Sequence, residues 1–526
     1  MRKTKVVIVG GGFGGMFTAR KLHKLCGEDL EIELISKINY FVFQPLLPEV
    51  AAGTLNAQDA VTPLRNLLSG VHVRLAEVTA IDLEAKQVIL LQGQKKLLQR
   101  VDYDHLVITT GQVANLSLFP GFEDHSLTMK DLSDAHRLRN HVIECMEMAD
   151  VTRFADIKQR ALTFVVAGGG FSGVETMGEL AEMIERILPQ YPNIQAHEIR
   201  MVMIQLGNRV LPELPERLSE YTLEQLQKRG VEVWLNTGIQ SATQQAVYTN
   251  DERSLPTRTI VTTIGNGPSP FVQSLPIKLE RGRIPVNQQL EVIGVENVWS
   301  IGDAALIPLN NNADNPVFAP PTAQFAVAQA HTLAENLVNH TRGQPLKAFQ
   351  FEASGIMASL GGYRGVAEIF GRRVSGLPAW VIWRIAYIGM LPGIATRIRV
   401  GLNWLFDYFL PRTIVYMAES DRPATRYLDY SKGEVVQRAN EVPAGFYVVV
   451  RGRLKQELHE PDGEIISREL QAGATWGSRA LKESRLTHGN ITALKDTKLL
   501  LVGSEDFQRL RNTYEPLNDL LTAGQK

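Results

Sequence analysis

The sequence is poor in cysteine, in net charge and in long apolar runs, and each shortage excludes a class of protein. Two cysteines among 526 residues, Cys26 and Cys145, are too few for a disulfide framework and fit a reducing compartment. A formal charge of −1 leaves no basic field for nucleic acid, so no nucleic-acid partner is expected. The most apolar stretch, 374–411, has no uncharged run longer than 385–396, which is too short to span a membrane and contains Pro392.

Glycine, in contrast, occurs twice in the same G-x-G-x-x-G arrangement. The first motif, within "VVIVGGGFGG", consists of Gly10, Gly12 and Gly15. The second, within "VVAGGGFSGVE", consists of Gly168, Gly170 and Gly173. Each motif follows a strand-like run and precedes a helical pattern, where glycines permit a sharp turn and let the backbone approach a pyrophosphate at a helix N-terminus. Two motifs in this context predict two dinucleotides, one delivering electrons and the other receiving them.

Strand-like and helical segments alternate over most of the chain, which predicts an α/β fold with two dinucleotide-binding domains of the Rossmann type. The amino-acid composition changes near residue 420, where a polar segment that contains proline is expected to be a linker. Short alternating strands follow, separated by turn residues, and they predict a small β-barrel that ends in a helix near 504–512.

Seven motifs together resemble the type II NADH dehydrogenases, single-chain flavoproteins that pass electrons from NAD(P)H to quinone. They occur in the family's order over about the first 420 residues. The motifs are GGGFGG (10–15), FQPLLPEVAAGTL (43–55), VITTG (107–111), GGGFSGVE (168–175), SIGDAA (300–305), APPTAQFA (319–326) and AWVIWRIAYI (379–388). The tail is similar to a cyclic-nucleotide-binding barrel in its strand pattern and in ATWGSRAL (474–481).

The resemblance implies that the first motif holds FAD and that the second holds NADH, and it leaves NADPH open as a further substrate. It also implies a non-proton-pumping enzyme attached peripherally to the cytoplasmic face of a membrane, with a membrane quinone as acceptor, and it leaves a homodimer open. The implied regions are 1–118 and 276–350 for the FAD-binding domain, 119–160 for a helical connection, 161–275 for the NAD(P)H-binding domain, 351–420 for membrane association and 421–526 for the barrel.

The resemblance also assigns roles outside the glycine motifs, and it implies no metal. Asp303, in a Gly-Asp turn, would accept hydrogen bonds from the ribityl hydroxyls of FAD; an ordinary turn aspartate is the alternative. Glu175 would face flavin and nicotinamide and take part in proton handling, while a favourable interaction with the helix dipole explains it as well. Gln324 would lie buried on the quinone helix. The remaining assignments are Gln44, Thr110, Gly111 and Ala323 to FAD and Gly265 to NAD(P)H.

Three positions depart from the family pattern. The first domain usually carries an acid for the adenosine ribose, but this chain has Ser36, followed by Lys37, so a charge-assisted hydrogen bond is lost. The equivalent acid of the second domain is Gln205, which removes the repulsion of the NADPH 2′-phosphate. Ala328 replaces a second glutamine of the quinone helix, so the acceptor site differs from the pattern.

Two other functions compete with the quinone oxidoreductase. A disulfide or sulfide oxidoreductase needs a thiol pair near the flavin, which Cys26 and Cys145 do not provide. A redox sensor reduced by NAD(P)H, with the tail as its regulatory module, stays open. In the tail, Ser478 and Thr487 fall where a cyclic-nucleotide site needs a glutamate and an arginine, so binding of cyclic AMP or GMP is not expected.

The stretch 374–411 combines aromatic residues with arginines, a pattern typical of interfacial helices on anionic lipid. The arginines are Arg384, Arg397 and Arg399, and the aromatic residues are Trp380, Trp383, Tyr387, Trp404, Tyr408 and Phe409. A buried segment covering the flavin domain is the alternative.

Overall fold

The computed structural model of the chain describes residues 2–93, 96–310, 312, 316–353, 355–416, 425–439, 441, 443–459, 465–477, 489–504 and 506–507. In its first part the strands are β1 (Thr4–Val9), β2 (Leu30–Ser36), β3 (Tyr40–Val42), β4 (Val61–Pro63), β5 (His72–Leu75), β6 (Glu77–Asp82), β7 (Gln87–Gln92), β8 (Leu97–Asp102), β9 (His105–Ile108), β10 (Gln112–Ala114) and β11 (Leu127–Thr128). The helices of this part are α1 (Phe13–Cys26), α2 (Leu47–Ala51), α3 (Leu64–Leu67), α4 (Phe122–His125), α5 (Leu132–Val151) and α6 (Ala155–Ala161).

The middle of the chain continues the alternation of strands and helices. Its strands are β12 (Thr163–Ala167), β13 (Arg200–Ile204), β14 (Val231–Trp234), β15 (Ile239–Ala242), β16 (Ala246–Thr249), β17 (Ser254–Pro256), β18 (Thr259–Thr262), β19 (Asn266–Pro268), β20 (Ile284–Pro285), β21 (Val298–Ser300) and β22 (Ala305–Leu306). Its helices are α7 (Phe171–Ile187), α8 (Glu216–Lys228), α9 (Pro270–Ser274) and α10 (Ala323–Thr341).

The last part begins with a three-stranded meander and a helix pair: β23 (Gly355–Ser359), β24 (Gly365–Ile369), β25 (Arg372–Gly376), α11 (Leu377–Met390) and α12 (Ile394–Phe409). The remaining strands are β26 (Thr425–Tyr430), β27 (Val435–Gln437), β28 (Gly445–Arg451), β29 (Arg453–His459), β30 (Ile465–Gln471), β31 (Thr475–Trp476), β32 (Gly489–Ala493) and β33 (Thr497–Gly503).

Two parallel five-stranded sheets form the framework, in the orders β21-β9-β1-β2-β5 and β11-β18-β12-β13-β14. Every residue of β12 and the last four of β1 are buried, as expected for parallel strands that are covered on both faces. The α/β fold with two Rossmann-type domains is therefore confirmed. The first sheet takes β21 from the segment 276–350, and the predicted helical connection 119–160 also supplies β11 to the second sheet.

The carboxyl ends of the two sheets lie close together. Gly111 follows β9 and immediately precedes β10, and Gly265 follows β18 and immediately precedes β19. Strands β10 and β19 pair antiparallel, with Gln112 opposite Pro268. This pairing joins the segment that follows β9 to the segment that follows β18.

Helices α11 and α12 are amphipathic and turn one side towards the molecule and one side outwards. The exposed outward side, here called the apolar face, consists of Leu377, Val381, Ile385, Ile394, Ile398, Leu402, Leu405, Phe406, Tyr408 and Phe409. Among the described helices, none combines the length and the apolar character that a membrane crossing requires.

The structure corrects the expected orientation of several side chains in this stretch. Trp383 is 1% exposed and Trp404 is 8% exposed, so both belong to the core and not to the surface. Arg384 also turns inward, where its guanidinium lies 3.4 Å from the carboxylate of Glu49. The guanidinium of Arg397 donates to the carbonyl of Leu391 at 2.8 Å. The aliphatic residues of the apolar face, more than the tryptophans, are therefore the ones that face outward.

The tail forms the predicted small β-barrel from two four-stranded antiparallel sheets, β26-β33-β28-β31 and β27-β32-β29-β30. Its own apolar core includes Leu428, Tyr430, Tyr447 and Leu501. The predicted linker near 420, most of the predicted terminal helix at 504–512, and Ser478 and Thr487 of the expected nucleotide cassette lie outside the described residues.

Candidate functional site

The first glycine motif forms a tight turn between β1 and α1 that only glycine can occupy. Gly10 has φ +112°, and a Cβ atom there would lie 2.5 Å from the carbonyl oxygen of Thr109. A Cβ at Gly15 would lie 1.9 Å from the carbonyl oxygen of Gly10. A Cβ atom placed on Gly12, just before the N-terminus of α1, would meet no heavy atom of another part of the chain within 4 Å. The turn therefore leaves open space in front of unsatisfied backbone N–H groups, which suits a phosphate.

The second motif repeats this construction between β12 and α7. Gly168 has φ +111°, and a Cβ at Gly173 would lie 1.9 Å from the carbonyl oxygen of Gly168. Gly170 again faces open space. In both sheets a threonine from the neighbouring strand end braces the turn: the hydroxyl of Thr109 donates to the Val9 carbonyl at 2.9 Å, and that of Thr263 donates to Ala167 at 2.9 Å.

Ser36 ends β2 beside the first glycine turn, where the sequence places the ribose-binding position. Its side chain is buried, and its hydroxyl oxygen accepts a hydrogen bond from the Ile38 amide at 3.4 Å. Lys37 is exposed and lies 2.9 Å from the carboxylate of Glu77. The structure thus places Ser36 beside the first glycine turn, whereas the side chain of Lys37 forms an ion pair with Glu77.

Gln205 ends β13 and braces the second glycine turn. Its Oε1 accepts a hydrogen bond from the Gly169 amide at 2.9 Å, and its Nε2 donates to the Arg209 carbonyl at 3.3 Å. The guanidinium of Arg209 donates to the Pro212 carbonyl at 2.6 Å. The glutamine therefore has a structural role that the sequence did not reveal, because only its place at the strand end was visible there.

The Gly-Asp turn after β21 is held by a glutamine to which the sequence analysis gave no role. The amide of Gly302 donates to Oε1 of Gln329 at 2.8 Å, and Gln329 is buried. In the sequence Gln329 is only a glutamine displaced from the expected quinone-helix position. Burial raises the pKa of Asp303, although the charge of Lys130 lowers it. The amide of Gln44 donates to the Lys130 carbonyl at 3.0 Å, which brings the first-domain segment to the same place.

The predicted flavin-side residues include an unsatisfied buried group. The hydroxyl of Thr110 is buried and has no hydrogen-bond partner among the described residues. Gly111 has φ +68°, and Gly265 has φ +76° with its Cβ position 3.0 Å from the Asn115 carbonyl. We call the open space at each glycine turn a cradle. A buried hydroxyl without a partner beside such a cradle fits a site that is completed by a polar ligand. The residues present therefore fit a bound dinucleotide.

The first turn of α10 carries Ala323 and Gln324, both half-buried. The amide of Gln324 donates to the Gly355 carbonyl at 3.1 Å, which ties the helix to β23. Gln324 is thus less buried than its apolar neighbours suggest. Ala328, one turn further, is half-buried as well.

Glu175 lies on the buried side of α7, where it contacts the helix pair and the meander. Its Oε1 accepts hydrogen bonds from the Ser359 amide at 3.1 Å and from the indole of Trp383 at 3.3 Å. Burial raises its pKa to about 8, although both hydrogen bonds favour the charged form. The carboxyl is therefore protonated at neutral pH, which a surface position near the helix dipole would not produce.

Further carboxyl groups continue from Glu175 along the same side of α7. Glu179 accepts hydrogen bonds from the hydroxyls of Thr54 at 3.3 Å and Ser359 at 3.4 Å. Burial, together with the nearby charges of Glu182 and Glu49, raises its pKa to about 8. The sequence contained a signal for this group, because Glu175 and Glu179 are spaced i, i+4 in an otherwise apolar helical pattern.

Two arginines and a tryptophan compensate the outer members of this acidic group. The indole of Trp404 donates to the carboxylate of Glu49 at 2.6 Å, and the guanidinium of Arg384 lies 3.4 Å from the same carboxylate. The buried guanidinium of Arg412 lies 3.2 Å from Glu182 and 3.2 Å from Asp407. Among the described residues, Glu175 accepts hydrogen bonds from a backbone amide and an indole, neither of which is charged, and this explains why it keeps its proton.

Comparison with known proteins gives two matched regions. Residues 4–330 match the pyridine nucleotide-disulphide oxidoreductases, and residues 427–514 match the cyclic nucleotide-binding domain. A type II NADH:quinone oxidoreductase of Staphylococcus aureus (strain NCTC 8325 / PS 47) is 30% identical over 384 residues, which cover 72% of this chain and 92% of the relative. A relative of the same name from Staphylococcus haemolyticus (strain JCSC1435) matches to the same extent, 30% over 384 residues.

Solved structures show the same fold. NDH2 from Plasmodium falciparum in complex with NADH superposes with a TM-score of 0.73 at 21% identity, covering 79% of this chain and 100% of that one. The sulfide:quinone oxidoreductase from Aquifex aeolicus gives a TM-score of 0.58 at 19% identity, covering 80% and 94%. At these identities the structures show the fold alone.

The raised pKa of Glu175 predicts a pH dependence of stability. The folded chain keeps this proton up to about pH 8, whereas the unfolded chain loses it near its ordinary pKa of 4.5. The folded state therefore binds more protons in this interval, and stability falls as pH rises from 4.5 to 8. In Glu175→Gln we expect this fall to be smaller by on the order of 3 kcal/mol.

Urea unfolding of the FAD-loaded protein at pH 5 and pH 8 measures this difference. Glu220→Gln, at an exposed position of α8, serves as the control and should keep the wild-type dependence. If the stability of Glu175→Gln changes between the two pH values as much as that of the wild type, the carboxyl does not hold a proton in the folded state.

Proposed function

The chain belongs to the pyridine nucleotide-disulphide oxidoreductases and, among them, to the type II NADH:quinone oxidoreductases, and on this premise we propose that it oxidises NAD(P)H and reduces a membrane quinone. FAD, when bound, supplies the chemistry that links a hydride from the nicotinamide to two electrons and protons for the quinone. The observation that carries the proposal is the pair of glycine cradles at neighbouring sheet ends, because each cradle suits one dinucleotide.

We assign the first cradle to FAD. Its glycine turn would hold the pyrophosphate, and Ser36 would meet the adenosine ribose with one neutral hydrogen bond. The orphaned hydroxyl of Thr110 supports its assignment to the flavin side. Asp303 would accept from hydroxyls of the cofactor, with Lys130 nearby as the compensating charge. Gln44 would complete this side through its hydrogen bond to Lys130.

The second cradle is assigned to the nicotinamide nucleotide, with Gly265 at the nicotinamide end. Gln205 stands where an acid would select NADH by repelling a 2′-phosphate. Its amide carries no charge, so NADPH is not repelled here. We therefore propose that both nucleotides serve as substrates, with weaker discrimination than an acid in this place would give.

We propose that Glu175 holds a proton for the quinone reaction. The carboxyl is buried between the NAD(P)H-side helix α7 and the helix pair, and its proton is retained at neutral pH. A quinone needs two protons together with two electrons, so a protonated acid near the acceptor is useful there. Gln324 is assigned to the acceptor side through its place on α10.

Attachment to a lipid surface is proposed through the apolar face of α11 and α12. Ile385 is 68% exposed and Ile398 is 58% exposed, and large neighbouring side chains are exposed with them. A contiguous apolar surface of this kind marks an interaction site. The inward side of the same helices contacts Glu175 and Glu49, so a quinone taken from the membrane would arrive beside the protonated carboxyl. Attachment to the cytoplasmic face belongs to this proposal.

Steady-state oxidation of NADH by the FAD-loaded protein with a soluble quinone tests the function. We expect many turnovers per flavin. The control is Gly173→Val, because even a Cβ atom there would lie 1.9 Å from the Gly168 carbonyl and close the second cradle. This variant should keep FAD and lose NADH oxidation. A single stoichiometric reduction of the wild-type flavin, without turnover, would instead identify a redox sensor.

Gln205→Glu tests the nucleotide preference. The new carboxylate can still accept from Gly169, but it repels the 2′-phosphate, so the ratio of kcat/KM for NADPH to that for NADH should fall roughly ten-fold. Gln227→Glu places the same charge on the exposed side of α8 and should leave the ratio unchanged. If the ratio does not fall in Gln205→Glu, this position does not face the adenosine ribose.

The double variant Ile385→Glu/Ile398→Glu tests the lipid surface. Losing the burial of two isoleucines should weaken binding to anionic liposomes at low salt by ten-fold or more, since each contributes about 1.5–3 kcal/mol. Ile293→Glu changes an equally exposed isoleucine (61%) outside the apolar face and should bind like the wild type. A wild-type protein that does not float with the liposomes would contradict the proposed attachment.

A further inference from the structure

A cavity of about 540 Å³ lies where the barrel core meets the dehydrogenase body. On the barrel side its wall includes the apolar and aromatic residues Leu428, Tyr430, Tyr447 and Leu501, together with polar residues such as Arg426 and Arg438. On the body side it is lined by Met148 and Ile157 among others, from the end of α5 and from α6. Its volume lies within the range of small-molecule sites. The proposed oxidoreductase reaction uses none of these residues.

The two walls are fixed to each other by hydrogen bonds between the barrel and the hairpin that joins β15 to β16. The Gln244 amide donates to the Asp429 carbonyl at 3.0 Å, and the Gln245 side chain donates to the Val435 carbonyl at 2.6 Å. The hydroxyl of Thr243 donates to the Glu434 carboxylate at 3.0 Å. These hydrogen bonds hold the two walls of the cavity at a fixed distance from each other.

The polar part of the wall is rich in arginine. The lining arginines are Arg160, Arg258, Arg426 and Arg438. Among the described residues that line the cavity, Glu441 is the one carboxylate. Asp156, outside the lining, pairs with Arg160 at 3.0 Å and with Arg438 at 2.5 Å. Burial lowers the pKa of Arg160, and the charges of Arg258 and Arg438 lower it further. The cations are thus close enough to repel one another.

Arg258 provides a second, independent observation. Its Nε is buried and has no hydrogen-bond partner among the described residues. Its backbone amide donates to the Arg160 carbonyl at 3.0 Å, which holds the two arginines side by side. A buried guanidinium N–H without an acceptor is costly, and Arg258 lines the cavity, so a rotation of its side chain would let an anionic oxygen there supply that acceptor.

We propose that this cavity binds an organic anion that has an aromatic or apolar body and a single phosphate or carboxylate group. The arginines of the body side, Arg258 and Arg160 first, receive the anionic group. The leucines and tyrosines of the barrel core receive the body of the ligand. The residues that line the site do not belong to the two glycine turns that form the dinucleotide cradles.

Calorimetry on the full-length, FAD-loaded protein with saturating NAD⁺ tests the site. The probe is 4-methylumbelliferyl phosphate, and the uncharged 4-methylumbelliferone is its matched control ligand. We expect the phosphate to bind at micromolar concentration and the neutral compound to bind at least ten-fold more weakly, as loss of a charge-assisted contact implies. A coumarin carboxylate in the same titration shows whether phosphate or carboxylate is preferred.

Two variants locate the binding. Arg258→Met should weaken binding of the phosphate probe about ten-fold, and Ile157→Trp should weaken it as well, because the indole occupies part of the cavity. Arg281→Met removes an exposed arginine elsewhere and should bind the probe like the wild type. The proposal is overturned if the wild type does not bind the probe at millimolar concentration, or if the affinity of either cavity variant that folds equals that of the wild type.

Discussion

The close approach of helix to strand at two glycine turns is the constraint on which the molecule depends. At Gly15 and Gly173 a side chain would overlap the carbonyl of the first motif glycine, so no other residue permits α1 and α7 to lie where they do. This packing aims both helix N-termini at open space beside the carboxyl ends of their sheets. Because β10 and β19 pair, these two ends lie close together, and the arrangement suits two dinucleotides that exchange a hydride.

Helix α7 connects this framework to the proposed acceptor side. Its N-terminus forms the second cradle, and its buried side carries Glu175 and Glu179 towards the meander and the helix pair. Burial of carboxyl groups is costly, and the chain meets this cost in two ways. Glu175 and Glu179 keep their protons, whereas Glu49 and Glu182 have arginine partners. The helices α11 and α12 also present their apolar face to the outside. The proposed quinone site would therefore have buried carboxyl groups on the inner side of this helix pair and an apolar surface on its outer side.

The barrel adds a different kind of interface. Its apolar core opens towards α6 and the hairpin that follows β15, and the space between them is lined by arginines. Interdomain contacts here include an ion pair: the side chain of Lys498 in the barrel lies 2.9 Å from the carboxylate of Asp124 in α4. Contacts of this kind position the barrel against the body, and a cavity remains between the two.

Several features of the protein are determined by local sequence. The glycine spacing, the buried runs of β1 and β12 and the alternating tail gave the two Rossmann-type domains and the barrel, because a turn or a strand depends on neighbours in the chain. The predicted ends of the second strand of each domain also identified Ser36 and Gln205 as the positions next to the glycine turns. Tertiary structure alone decided what the side chains contact: Gln329 holds the Gly-Asp turn, Trp383 and Trp404 face inward, and Glu175 keeps its proton. Burial and pKa depend on residues hundreds of positions apart, such as Glu175 and Trp383, and no local pattern contains that information.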